Sequence, residues 1–71
     1  MHKDAVLEEL RQVERIVVEA EKQLAAQEAL VASLRRQNQD PRQAEAVLQM
    51  MRQDQQRREQ DRQRLLSLLQ P

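Results

Sequence analysis

Asn38-Gln39-Asp40-Pro41 is a short break between two long stretches whose apolar residues recur with helical spacing. Read outward from that break, the chain is a helical hairpin. Asn is the best residue for the left-handed position that ends a helix when Gly is unavailable, and this chain contains no Gly. Asp40 carries the side chain of an N-cap. Pro41 suits the first helical position, where its missing N–H removes no bond. Gln43 stands three residues after Asp40, the spacing of a capping box. A link this short makes the two helices antiparallel neighbours. The expectation is one domain over residues 1–71, with a first helix over about 4–37, a turn at 38–40 and a second helix over about 41–69.

The first stretch carries a heptad pattern. With position a at Leu10, Val17, Leu24 and Val31, position d falls on Val6, Val13, Ala20, Gln27 and Leu34. Gln27 is its main interruption. Leu7 at e, and Ile16 and Leu30 at g, widen the stripe beyond a two-stranded seam, as expected of a helix with more than one neighbour. Asp4 is the expected N-cap of this helix.

The second stretch is apolar at its ends, with Ala44, Val47, Leu48, Met50 and Met51 near the turn and Leu65, Leu66, Leu68 and Leu69 at the far end. From Arg52 to Arg64 it has no apolar residue, yet Arg, Gln and Glu keep it helical. Folding the hairpin about the turn sets Leu34 opposite Ala44, Leu30 and Val31 opposite Val47 and Leu48, Gln27 opposite Met51, Val13 opposite Leu65 and Leu10 opposite Leu68. The middle is mismatched, with Val17, Ala20 and Leu24 facing Asp54, Arg58 and Asp61.

That mismatch, in a chain of 71 residues with no Cys for disulfides, points to assembly as the source of additional core. The expected architecture is all-α: an antiparallel hairpin that dimerises into a four-helix bundle. Leu10, Val13, Ile16, Val17, Ala20, Leu24 and Val31 form the expected interface between copies, and Asn38, Asp40 and Pro41 set the turn. In this arrangement the middle of the first helix packs on its counterpart in the second copy, leaving the second helix outside.

Catalysis is not expected. His2 is the one His, and it stands at a terminus, where a metal or proton-transfer site is poorly held. Glu8, Glu9, Glu14, Glu19 and Glu21 lack the Glu-x-x-His partners of a metal-binding bundle. There is no Gly-rich phosphate loop, and Ser33 and Ser67 are the sole hydroxyl side chains. No cofactor and no metal are expected. Twelve basic and twelve acidic residues balance to zero. Residues 1–37 carry −1 and residues 38–71 carry +1, so neither half is a nucleic-acid arm. The chain has no apolar run long enough to span a membrane and no signal-peptide core after Met1, which makes the cytoplasm the expected compartment.

The second reading for function is RNA or other nucleic-acid binding by a four-helix bundle, through Arg57, Arg58 and Arg62 in the Arg-rich middle of the second helix. Asp54, Glu59 and Asp61 are interleaved with these arginines, and the chain has no aromatic residue to stack on bases, which argues against it. The preferred reading is a non-catalytic protein–protein interaction or scaffold module, acting through its own oligomerisation. An amphipathic helix of another protein is a further possible partner, which Met50 and Met51 or the Leu65–Leu69 cluster could receive.

Several stretches resemble a group of short alpha-proteobacterial helical-hairpin, coiled-coil proteins of unknown function. The matching residues are Val13-Glu14 with Ile16, Ala26-Gln27, Leu30-Val31-Ala32 with Leu34, the turn Asn38-Gln39-Asp40-Pro41, Ala44, Leu48, and Asp61-Arg62-Gln63-Arg64-Leu65-Leu66. Asn38 and Gln39 stand where the group has Gly and His, and Pro41 where it has Thr. The resemblance implies a helical hairpin and no particular activity.

Overall fold

The computed structural model describes residues 2–70, and its elements are two helices, α1 (His2–Arg36) and α2 (Arg42–Leu69). They lie side by side in a rod of 55 × 15 × 14 Å. Its length is that of α1, since 35 residues at about 1.5 Å each reach roughly 52 Å.

α1 begins two residues before its expected start. Asp4 therefore lies in the first turn rather than at the cap, where its charge complements the helix dipole. At the other end α1 closes with a Schellman motif. Asn38 is left-handed, with φ 57°. Its N–H donates to the Arg35 carbonyl at 3.1 Å, and the N–H of Gln39 donates to the Leu34 carbonyl at 2.9 Å. These bonds satisfy two carbonyls that the helix itself leaves open.

The start of α2 is built on Asp40. Its Oδ1 accepts the backbone N–H of Arg42 at 3.0 Å, and the Arg42 guanidinium folds back onto the same carboxylate at 2.8–3.1 Å. Pro41, with φ −91° and ψ 1°, gives its carbonyl to Glu45 N–H at 2.8 Å and so opens the helical ladder. Regular helix runs from Arg42, one residue after the expected start. Among the described residues, Gln43 makes no bond back to Asp40. Arg42 is its partner instead, because a guanidinium two residues away reaches both carboxylate oxygens.

Buried and half-buried positions alternate at spacings of three and four along both helices. On α1 they include Val6, Leu10, Val13, Val17, Ala20, Leu24, Gln27, Val31 and Leu34. On α2 they include Ala44, Leu48, Met51, Gln55, Arg58, Arg62, Leu65 and Leu69. The seam of α2 thus runs unbroken through its polar middle. Gln55, Arg58 and Arg62 face α1, while Asp54 and Asp61, expected there, are exposed. The spacing from Leu48 and Met51 to Leu65 decides this, since a continuous heptad puts residues 55, 58 and 62 inward.

The firmest packing is at the open end, where Val6, Leu10 and Leu65 form a buried cluster with Val13, Leu66 and Leu69 against it. Leu10 meets Leu65 there rather than Leu68, which is half exposed. Val31 and Leu48 line one groove near the turn. Gln27 Nε2, expected opposite Met51, donates to the Ala44 carbonyl at 2.9 Å.

Candidate functional site

The a and d side chains of α1 meet α2 of the same chain, which decides where the expected interface residues lie. Leu10, Val17 and Val31 are buried in the single chain, and Val13, Ala20 and Leu24 are half-buried along the same seam. Of the residues expected to join two copies, Ile16 alone is exposed, at 50%. The stretch expected to pack on a second α1 is occupied instead by Gln55, Arg58 and Arg62. The large apolar residues left exposed on α1 are Ile16 and Leu30 beside the seam and Val18 on the outer face.

The flank formed by the e positions of α1 and the matching positions of α2 is ionic. Arg35 pairs with Glu45, and Glu28 lies 3.8 Å from Arg52. Lower down, Glu14 lies 3.8 Å from Arg62, which also meets Glu59 at 3.7 Å. These cross-helix pairs follow from antiparallel packing, which brings e positions of the two helices together.

The opposite flank, formed by g positions, is apolar in four places. Ile16, Leu30, Val47 and Leu68 stand on it, all 43–50% exposed, and Met50 lies at its border, 64% exposed. No cross-helix ion pair is made on this flank among the described residues. Its charges pair within α2: Arg57 with Asp54 at 3.6 Å, and Arg64 with Asp61 at 3.8 Å. Ile16, Glu9, Asp61 and Arg64 line a common groove there.

The arginines considered for nucleic acid do not share a surface. Arg58 and Arg62 are half-buried in the seam, whereas Arg57 is on the outside beside Asp54. No group of three or more His, Asp or Glu side chains among the described residues is placed to hold a metal. Neither described helix is long and apolar enough to cross a membrane.

Two seam glutamines carry roles that residue-by-residue reading of the sequence did not assign. Gln27 reaches across to α2, and Gln55 reaches back, its Nε2 donating to the Val17 carbonyl at 3.2 Å. The remaining oxygen of Gln55 is buried without a partner. Its place in the 48–51–55–58–62–65 spacing was the available signal.

Family models, curated proteins and solved structures were compared with this chain, and none of them matches it.

Proposed function

We propose that this protein is a non-catalytic assembly module, a hairpin that pairs with a second copy into a four-helix bundle and offers the resulting surface as a scaffold in the cytoplasm. The observation that supports this is the balance of its apolar residues. Among the described residues six are buried, while six large ones, Ile16, Val18, Leu30, Val47, Met50 and Leu68, remain 43–64% exposed. A two-helix rod cannot enclose them, and a short chain gains stability by covering such surface. A nucleic-acid partner would need Arg57, Arg58 and Arg62 on one face, and their division between seam and exterior gives that reading no comparable support.

Absolute molar mass by light scattering over a dilution series, with helicity followed by circular dichroism, tests the proposal. The expected result is a dimer that loses helicity as it dissociates. A monomer that stays fully helical at every concentration would overturn it.

A further inference from the structure

The two flanks of the rod differ in a way that selects one of them. Cross-helix ion pairs hold Arg35, Glu45, Glu28, Arg52, Glu14 and Arg62 to the ionic flank. Ile16, Leu30, Val47 and Leu68 are left on the other. A face about 55 Å long and 15 Å wide offers roughly 800 Å² per copy, the size of a specific protein interface.

Charge then selects the orientation. On the apolar flank α1 lines the groove with one charge, Glu9, while Glu19 stands with Arg11, Glu14, Arg15 and Val18 on the outer surface. α2 presents Asp54 and Asp61, each beside an arginine three residues on. Setting α1 against α1 of a second copy with the turns together would oppose Glu9 to Glu9. Setting α1 against α2 of a second copy, with the turns at the same end, brings Leu30 toward Val47 and, in the same register, Ile16 toward the Asp61–Arg64 pair. A two-fold axis parallel to the rod produces this arrangement, and every helix then has antiparallel neighbours.

We propose that two copies of this chain pair through the Ile16–Leu30–Val47 flank, turns together, with α1 of each copy against α2 of the other. This rests on the assembly reading above and adds the face and the direction.

The chain has no Cys, so single cysteines report position cleanly. Glu9→Cys lies on the apolar flank near the open end. Arg11→Cys lies at the same end, in the surface formed with Glu14, Arg15 and Val18 on the other side. Full-length Glu9→Cys and Leu68→Cys copies, which face each other when α1 lies against the other copy's α2, are mixed and treated with a bis-maleimide about 10 Å long, one interaxial spacing, and each single variant is treated alone. Light scattering on the unmodified protein runs alongside. The expected result is a dimer in which the mixture of Glu9→Cys and Leu68→Cys cross-links more than either variant alone, and Arg11→Cys does not cross-link. A dimer in which Glu9→Cys cross-links as well alone as in the mixture, or that cross-links through Arg11→Cys or not at all, would overturn the face or the direction and leave assembly standing. A protein that is monomeric throughout would overturn both. As an independent check, Leu30→Glu is expected to raise the dimer dissociation constant by about tenfold or more, since it places a charge at the centre of the contact. An unchanged constant would also overturn the proposal.

Discussion

Gln55 concentrates the tension in this seam. Its amide nitrogen reaches the Val17 carbonyl at 3.2 Å, while its carbonyl oxygen is buried without a partner. One bond across the hairpin contributes about 1 kcal/mol, and a buried unsatisfied acceptor costs a similar amount or more. Gln55→Leu removes both and adds apolar contact beside buried Val17, so it is expected to stabilise the fold by on the order of 1 kcal/mol. A rise in the urea midpoint would show it, and a fall would mean that the bond outweighs the orphaned oxygen. The turn gives two more expectations. Asn38 holds φ 57°, a conformation that costs Ala about 1 kcal/mol and Gly little. Thermal melts of Asn38→Ala and Asn38→Gly should therefore diverge, with Ala lowering the midpoint and Gly preserving or raising it. The Arg42 guanidinium, and after it the Arg42 backbone N–H, hold the Asp40 carboxyl below its ordinary value. A depressed folded value means that the stability it contributes is present above the ordinary carboxylate pKa and is lost as pH falls through the folded one. Following the Asp40 carboxyl carbon and the Arg42 amide by NMR should show both moving together below the usual Asp range, a step that Asp40→Asn abolishes.

Between the two helices, stability is uneven along the rod. The open end holds Leu65, 2% exposed, against Val6 and Leu10. The middle holds Gln55, Arg58 and Arg62, whose stems cover Val17, Ala20 and Leu24 while their polar ends seek bonds at the edge. Leu65→Ala is expected to cost about 2–5 kcal/mol, enough to unfold a domain of this size. Loss of the cooperative circular-dichroism transition would register it, and a cost below 1 kcal/mol would mean that the open end frays in the native state. The two helices and their turn were legible because helix propensity, heptad spacing and the Asn-x-Asp-Pro break all agree. The inward face of the α2 middle was not. With no apolar residue between Arg52 and Arg64, the composition gives no stripe to follow, and the facing residues are fixed only by extending the spacing inward from Leu48 and Leu65. The same limit affected the interface. Val13, Val17, Ala20 and Leu24 read as surplus apolar surface as long as α2 seemed to present acids to them. With Gln55, Arg58 and Arg62 turned inward, the large apolar residues left exposed are Ile16, Val18, Leu30, Val47, Met50 and Leu68.

At the scale of the whole molecule, a rod of 55 × 15 × 14 Å can double in two distinct ways. Pairing flank to flank thickens it and leaves its length unchanged. Straightening the turn into one continuous helix, and exchanging α2 between copies, would instead give a rod of roughly 100 Å at about 1.5 Å per residue. The turn favours the first. Continuous helix would only exchange the donors to the Leu34 and Arg35 carbonyls, but it would forfeit the Asp40 bond to the Arg42 N–H and leave the Gln37 carbonyl without a helical donor, since Pro41 has no N–H. It would also force Asp40 into the helical region that a following proline disfavours. Small-angle X-ray scattering on the dimer is therefore expected to give a maximum dimension near 55 Å with a cross-section larger than that of a single hairpin. A maximum dimension near 100 Å would identify the exchanged form. In that form the apolar seam is completed by helices of different copies, and the turn becomes the switch between a short assembly and a long one.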